Sequence, residues 1–139
     1  MVKIRPALAE DLDYWFSLDK HLKRQMFLNK LNLNECYIIE NLNKKVGIMR
    51  YNFFGDETPF LNLIFISQEN QRKGIGTQAL SLWEQNMKES GYDFVMTSTM
   101  SNENAQHFYR KLGYKDCGCL VIKSEPMEIL LCKQLTKLA

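Results

Sequence analysis

Residues 61–83 read LNLIFISQENQRKGIGTQALSLW, and the interpretation of the whole chain starts from them. The stretch begins with an apolar run (61–66) typical of a strand, continues as a polar loop (67–73), and opens a helix at residues 74–77 (GIGT). The first N–H groups of a helix have no internal partners, and the helix dipole adds partial positive charge there. Two glycines let an anion approach the backbone closely, so this turn predicts an anion site, with phosphate as the natural ligand.

Length and charge limit what kind of protein this is. A chain of 139 residues suits one domain over residues 1–139 with a single core. The net charge of +2 is too balanced to predict nucleic acid as a partner. No apolar run approaches the ~20 residues of a membrane span, and the N-terminus has no signal-peptide pattern. We therefore expect a cytoplasmic protein with no membrane partner.

The cysteines do not predict a metal site. None of them forms a C-x-x-C pair, and neither histidine is near them in sequence. All four fall in predicted strands, so we expect buried, reduced thiols. These residues are Cys36, Cys117, Cys119 and Cys132.

Hydrophobic periodicity along the chain predicts the element order β-α-α-β-β-β-α-β-α-β-β. The middle of the chain is an antiparallel meander, because three β-type runs follow one another across short turns. We therefore predict an α+β fold with a mixed, mostly antiparallel central sheet flanked by helices. The predicted strands are 2–5, 35–41, 45–54, 60–66, 93–100, 114–122 and 127–133, with the last two joined by a turn at Ser124-Glu125-Pro126. The predicted helices are 8–18, 20–31, 74–90 and 103–112.

The glycine turn has more than one interpretation. Gly74-x-Gly76-x-x-Ala79 fits the dinucleotide pattern G-x-G-x-x-G/A, but a seven-residue loop separates it from its strand and the upstream chain is not a βαβ unit. A nucleotide P-loop is excluded because no G-x-x-x-x-G-K-[ST] occurs. The glycines could also serve only to let the loop enter the helix. The motif alone leaves this structural interpretation and the anion site open.

Two spaced motifs resemble one known family. Gln71-x-x-Gly74-x-Gly76 resembles the acetyl-CoA pyrophosphate motif of the GNAT superfamily of N-acetyltransferases. Residues 102–114, with the pattern N-x-x-A-x-x-F-Y-x-K-x-G-Y, resemble the family's other recurrent signature, on the helix after the fifth strand. The element order is also similar to the family's, and the opening residues 4–7 (IRPA) followed by Asp11 are a further likeness. The resemblance covers nearly the whole chain and implies a GNAT-like fold.

The resemblance implies an activity and its partners. The expected reaction moves an acetyl group from acetyl-CoA, the co-substrate, to a primary amine of a small molecule or of a protein or peptide. No metal is expected, and a homodimer is expected because dimers are common in the family. The alternative is a non-catalytic module that binds acyl-CoA or a partner and retains the cofactor cleft.

The resemblance also assigns roles to residues. The loop and helix start hold the pyrophosphate chiefly through backbone N–H groups, and the fourth and fifth strands splay apart so that free backbone groups bind the pantetheine arm. Asn102 helps to hold that arm or caps the following helix. Tyr109 is the predicted general acid, because a phenol with pKa ~10 keeps a proton that it can give to a thiolate. The predicted cofactor-binding residues are Ile64, Phe65, Ile66, Gln71, Arg72, Lys73, Gly74, Ile75, Gly76, Thr77, Asn102 and Tyr109.

The general base is where the sequence departs from the family's pattern. Many members carry a glutamate on the fourth or fifth strand, but neither 60–66 nor 94–99 contains a carboxylate. Asp56 and Glu57 precede the fourth strand, and Glu57 is the predicted catalytic carboxylate, acting through a water. The alternative is that both carboxylates are surface charges of a turn without a catalytic role. A general base is also dispensable if enough neutral amine is present. The aromatic candidates for the acceptor pocket are Trp15, Phe16, Phe27, Tyr51 and Phe53.

Overall fold

The structure is a computed structural model that describes residues 1–123 and 126–135. Within these residues, seven strands form one sheet and four α-helices pack against it. The strands are β1 (Val2–Pro6), β2 (Cys36–Asn41), β3 (Lys44–Phe54), β4 (Thr58–Ile66), β5 (Phe94–Met100), β6 (Lys115–Leu120) and β7 (Glu128–Gln134). The helices are α1 (Leu12–Leu18), α2 (Arg24–Asn32), α3 (Ile75–Glu89) and α4 (Ala105–Lys111).

The strand order across the sheet is β1-β2-β3-β4-β5-β7-β6. Every neighbouring pair is antiparallel except β4 and β5, which are parallel. The β2–β3 turn has positive φ at both Leu42 and Asn43, as a two-residue hairpin turn of matching twist requires. The predicted fold class and element order are therefore confirmed.

The parallel pair β4–β5 is joined over only two residue pairs. Phe60 lies opposite Met96 and Leu61 opposite Thr97, and the Thr97 hydroxyl donates to Leu61 O at 2.9 Å. Beyond this point the two strands separate, although β4 continues to Ile66 and β5 to Met100. The gap between residues 62–66 and 98–100 is called the wedge below. Backbone groups on this side of β4 have no strand partner in the wedge.

A bulge bends β4 where the wedge begins. In the β3–β4 ladder Arg50 lies opposite Leu63 but Tyr51 lies opposite Leu61, so Asn62 is an extra residue on β4. Such a bulge kinks its strand and increases the local twist. The Asn62 amide donates to the Asn52 side chain at 2.8 Å on the exposed side of the sheet. The bulge therefore turns β4 away from β5 just after their last shared pair.

The two faces of the sheet carry different helices and separate cores. Helices α3 and α4 cover one face, where buried Trp83, Leu80 and Tyr109 pack against the strands. Helices α1 and α2 cover the other face around Trp15 and Phe27, which are fully buried. The wedge opens between these two layers.

The helix boundaries differ from the predicted ones for local reasons. A 3-10 turn at Ala9–Asp11 precedes α1, which therefore begins at Leu12. Helix α2 begins at Arg24 because the Asp19 carboxylate accepts the backbone N–H groups of His21 and Leu22 and bends the chain there. Met26 on α2 is 47% exposed.

The cysteine prediction is only partly right. Cys36 is buried, but Cys117 and Cys119 are exposed because β6 forms the edge of the sheet. The predicted turn before β7 lies partly outside the described residues, since Ser124 and Glu125 are not among them. No described helix is long and apolar enough to cross a membrane.

Candidate active site

The start of α3 forms a concave backbone surface. Gly74 is the N-cap of α3 with φ of 79°, and Arg72, two residues earlier, also has a positive φ of 64°. Left-handed residues beside helical ones turn successive backbone N–H groups toward one concavity, which favours an anion. A cavity of about 280 Å³ lies in front of this turn. Its lining residues are Ile66, Asn70, Gln71, Arg72, Gly74, Ile75, Gly76, Thr77 and Phe108.

Protein packing does not require a glycine at position 76. A Cβ there would meet Ile66 and Phe108 at 3.8 Å, an ordinary van der Waals contact. The Gln71 side chain donates to Ile66 O at 2.9 Å and so fixes the loop to the end of β4. The cavity in front of α3 thus has free space beside Gly76, and the loop that Gln71 fixes to β4 forms its wall.

Tyr109 lies at the point where β4 and β5 separate. Its side chain is buried near Thr97, whose hydroxyl donates to Leu61 O at 2.9 Å. Burial raises the pKa of Tyr109 to about 12, although the Thr97 hydroxyl opposes the rise. The phenol therefore keeps its proton at neutral pH and can act as a donor.

A packed aromatic cluster holds Tyr109 in place. Its ring meets those of Phe108 and Tyr114 edge to face, with centroids 5.2 and 5.4 Å apart. The Tyr114 hydroxyl donates to Glu84 at 2.7 Å, and Lys133 donates to the same carboxylate at 2.9 Å. This network joins α3 and β7 to the chain just after α4. The Tyr109 side chain is consequently fixed by contacts on several elements.

A larger cavity of about 680 Å³ opens on the face covered by α1 and α2. Both sides of the wedge contribute to it, since Glu69 follows the end of β4 by three residues and Glu103 follows the end of β5 by three. Its lining residues are Tyr14, Ser17, Leu18, Asp19, Lys20, His21, Lys45, Leu63, Phe65, Ser67, Gln68, Glu69 and Glu103. It is called the larger cavity below.

Asp19 is a structural carboxylate in the floor of this cavity. It accepts from Arg50 at 2.9 Å, from the Trp15 indole at 3.1 Å, and from the backbone N–H groups of His21 and Leu22. Although burial opposes it, these hydrogen bonds hold the pKa of Asp19 below its usual value. A carboxylate committed in this way is a poor proton acceptor.

Two other carboxylates of the larger cavity carry no ion pair. Within the described residues, neither Glu69 nor Glu103 forms a salt bridge. Glu103 Oε1 accepts the backbone N–H of Met100 at 3.1 Å. The Tyr14 hydroxyl is buried without a hydrogen-bond partner in the part of the chain described, and its pKa is raised by burial and by the charge of Glu69. Unused acid–base groups therefore face this cavity.

The structure brings together many of the residues predicted to bind the cofactor. Six of the seven predicted residues from 71 to 77 line the smaller cavity, and Lys73 is the exception. Phe65, expected in the core, is 38% exposed and lines the larger cavity instead. Ile64 and Ile66 pack toward α3. Asn102 is exposed just beyond β5, and the helix cap predicted for it is wrong, because the N-cap of α4 is Asn104.

Glu57 is not brought to the site. It is exposed in the β3–β4 turn and lines neither cavity. Leu61, where the wedge begins, is four residues further along β4, a separation of about 13 Å in an extended strand. Asp56 belongs to the same turn, with φ of 66°. The structure thus separates both predicted carboxylates from Tyr109.

The aromatic candidates for an acceptor pocket form core instead. Trp15 and Phe27 are fully buried, and Tyr51 stacks on Tyr37 on the α3 side of the sheet. Phe16 and Phe53 are partly buried and pack against the two cores. None of the five lines the larger cavity. The size and spacing of these aromatic residues therefore indicate the hydrophobic core and not a pocket.

Three residues of the larger cavity escaped the sequence interpretation: Tyr14, Glu69 and Glu103. A topological signal for the two glutamates existed, because ligands gather beyond the carboxyl ends of parallel strands and each glutamate follows such an end. No comparable signal marked Tyr14. Across residues 1–123 and 126–135, no cluster of three or more His, Cys, Asp or Glu side chains could hold a metal ion.

Comparison with known proteins identifies what the chain resembles. Residues 3–114 match the acetyltransferase (GNAT) family. No curated protein matches the sequence.

Solved structures share the fold over nearly their full lengths. A GNAT family acetyltransferase from Bacillus cereus ATCC 10987 is 23% identical, with a TM-score of 0.79 and 99% of each chain covered. One from Elizabethkingia anophelis with acetyl-CoA bound is 19% identical, with a TM-score of 0.73 and 96% of this chain and 98% of that one covered. The ribosomal-protein-S18-alanine N-acetyltransferase of Escherichia coli is 16% identical, with a TM-score of 0.77 and 100% of this chain and 97% of that one covered.

Proposed function

The chain belongs to the acetyltransferase (GNAT) family, and we propose that it transfers an acetyl group from acetyl-CoA to a primary amine. The acceptor is a small molecule or the amine of a protein or peptide. The observation that carries the proposal is the wedge, which joins an anion-binding helix start to a buried proton donor.

The residues present fit a coenzyme A molecule. The concave backbone at residues 72–77 would hold the pyrophosphate, since its N–H groups and the α3 dipole attract an anion. The edge of β4 at residues 64–66, where β5 is no longer paired with it, would bind the pantetheine arm as an added strand. Bound acetyl-CoA supplies the acetyl group as an activated thioester. The related structure from Elizabethkingia anophelis contains acetyl-CoA.

Tyr109 would protonate the leaving thiolate. Its burial keeps the phenol neutral until a stronger base is generated beside it. The rings of Phe108 and Tyr114 hold the phenol near Thr97, at the narrow end of the wedge. A backbone N–H group of the bulge at Asn62 would polarise the thioester carbonyl as charge develops on it.

Two measurements test the proposal. Isothermal titration calorimetry with acetyl-CoA and coenzyme A should give saturable binding of both. A thiol-release assay with acetyl-CoA should then give turnover with at least one member of a panel of amino acids, polyamines, arylalkylamines and peptides with free N-termini. Absence of binding would contradict the proposal. Binding without thiol release from any amine would favour a non-catalytic acyl-CoA-binding module.

Three expectations from the sequence accompany this proposal and stay predictions. They are a single domain over residues 1–139, a cytoplasmic location and a homodimer. Light scattering of the purified protein measures the oligomeric state directly.

A further inference from the structure

We propose that Glu103, in the loop between β5 and α4, accepts the proton of the attacking amine and acts in sequence with Tyr109. The inference rests on the proposed function and adds the proton acceptor that β4 and β5 lack. It replaces Glu57, which the fold places in the distant β3–β4 turn.

Position is the first argument. Glu103 is an exposed residue three positions after β5, and it lines the larger cavity together with Leu63 and Phe65 of β4. Its Oε1 is fixed by the Met100 N–H at 3.1 Å, and the hydrogen bonds of the described residues leave Oε2 unused. One carboxylate oxygen is thereby anchored, while the other can receive a proton from the cavity.

Coupling to Tyr109 is the second argument. After burial, the charge of Glu103 is what raises the pKa of the Tyr109 phenol. No other acid–base group of the larger cavity acts on Tyr109 in this way. Glu103 therefore lines the cavity, and its charge also acts on the proton donor.

The other charged groups of the cavity are less suited to the role. Lys45 is bound to Asp11 at 2.7 Å, and Asp19 is bound to Arg50. The titratable and charged groups that line the cavity with Glu103 are Tyr14 of α1, Asp19, Lys20 and His21 of the α1–α2 connection, Lys45 of β3 and Glu69 after β4. The charge of Glu103 also acts on Tyr109 of α4. His21 and Glu69 are the rival proton acceptors among them.

The proton transfers balance. An ammonium acceptor gives one proton to Glu103, and the neutral nitrogen then attacks the acetyl carbon. This attack forms the C–N bond and breaks the C–S bond, leaving the electron pair on sulfur. Tyr109 gives its proton to the thiolate, and its phenolate takes the remaining surplus proton from the new amide nitrogen. Glu103 releases its proton to water, so the products are one amide, one thiol and one proton.

The coupling also sets an order for these steps. Before the attack, the negative charge of Glu103 favours the neutral phenol. Once Glu103 is protonated that charge is gone, the pKa of Tyr109 falls, and the phenol becomes a stronger acid as the thiolate leaves. Each proton transfer therefore prepares the next one.

The substitution Glu103→Gln tests the role with little structural change, because the amide oxygen still accepts from Met100 N–H. The probe is the panel amine with the fastest thiol release by the unmodified protein. At neutral pH, kcat/KM should fall by about 10²–10⁴-fold. The loss should shrink about tenfold per pH unit as the pH approaches the pKa of that amine, ~8 for a peptide α-amine and ~10.4 for a lysine-type amine, where the neutral amine needs no base. Glu57→Gln, in the distant turn, should leave the pH profile unchanged.

A second readout needs neither cofactor nor acceptor. NMR of isotopically labelled tyrosine, with Tyr109 assigned through Tyr109→Phe, should show a lower Tyr109 pKa in Glu103→Gln than in the unmodified protein. An unmoved Tyr109 pKa would overturn the coupling.

The outcomes separate this inference from the proposed function. If the unmodified protein releases no thiol with any amine, the proposed function fails. If it is active and Glu103→Gln matches it at every pH, only this inference fails. A pH-dependent loss in Glu69→Gln, His21→Gln or Glu57→Gln, without one in Glu103→Gln, also overturns it.

Discussion

The Tyr109 hydroxyl can be removed without disturbing the ring that carries it. In Tyr109→Phe the ring contacts with Phe108 and Tyr114 remain, and only the hydroxyl near Thr97 is lost. We expect kcat to fall by about 10²–10⁴-fold, because the leaving thiolate loses its proton donor. The coenzyme A affinity measured by calorimetry should change little.

Tyr114→Phe is the matched control. It removes a hydroxyl that donates to Glu84 and should lower the free energy of unfolding by about 1.5–3 kcal/mol rather than kcat. Equal kcat in Tyr109→Phe and the unmodified protein would reduce Tyr109 to a packing role.

Gly76 tests the anion site at the start of α3. In Gly76→Ala the new Cβ makes ordinary contacts at 3.8 Å, so the protein should fold and gain about 0.4–1 kcal/mol of stability. Affinity for coenzyme A should nevertheless fall, because the methyl group occupies the space that a pyrophosphate needs. Calorimetry and urea denaturation measure the two effects separately.

Gly74→Ala is the contrasting variant. At φ of 79° an alanine is strained, so this change should cost about 1 kcal/mol or more of stability. Unchanged affinity in Gly76→Ala would mean that no ligand approaches the backbone there.

At the scale of elements, the α1–α2 connection depends on one buried carboxylate. Asp19→Asn keeps an oxygen for the N–H groups of His21 and Leu22 but leaves Arg50 without a counter-charge. We expect a loss of about 3–5 kcal/mol in the free energy of unfolding at neutral pH, since the Arg50 side chain is only 14% exposed. Urea denaturation measures the loss.

The same substitution has a predictable pH dependence. Because the folded pKa of Asp19 is depressed, its contribution is complete above the unfolded value of ~3.9 and is lost as the pH falls through the folded pKa. The difference in the free energy of unfolding between the unmodified protein and Asp19→Asn should therefore become smaller at acidic pH. Asp13→Asn, on the exposed side of α1, is the control and should show no comparable difference. If the difference in the free energy of unfolding between the unmodified protein and Asp19→Asn stays constant below the unfolded pKa, the Asp19–Arg50 ion pair is not its source.

Most elements could be predicted from the sequence, because their signals are local. The order of strands and helices follows from the period of the hydrophobic residues, from the turn residues, and from the glycines at 91 and 113, both of which have positive φ. The start of α2 could not be predicted, since it depends on the Asp19 carboxylate, which accepts hydrogen bonds from the backbone N–H groups of His21 and Leu22. Cys117 and Cys119 are exposed because β6 is an edge strand. The sequence of a single strand does not show which place that strand takes in the sheet.

At the scale of the whole molecule, the two cavities differ in how far the sequence predicts them. The smaller one is lined mainly by residues 66–77, a continuous segment, so a motif was enough to find it. The larger one gathers side chains from α1, the α1–α2 connection, β3, β4 and two loops. Trp15, Phe27 and Tyr51, candidates from the sequence for an acceptor pocket, are buried in the core, because large aromatic residues mark core and pocket alike.

The wedge separates two parts of the molecule that a bound cofactor would connect, and this leads to a prediction for global stability. Coenzyme A held at residues 72–77 and along β4 binds the folded chain only, so it should stabilise folding by about 2.7 kcal/mol at a concentration of 100 Kd. For a domain of this size that corresponds to a rise in Tm of about 10 °C. Differential scanning calorimetry across a coenzyme A concentration series measures the rise.

Pantetheine, which lacks the pyrophosphate, is the matched ligand. It should give a much smaller rise in Tm, because it cannot use the anion site of α3. In Gly76→Ala the rise with coenzyme A should shrink toward the pantetheine value, while the Tm without ligand stays at or above that of the unmodified protein. Equal rises with both ligands in the unmodified protein would show that binding comes from the β4 edge alone. The helix start would then be a structural turn, which is the interpretation that the glycine motif by itself left open.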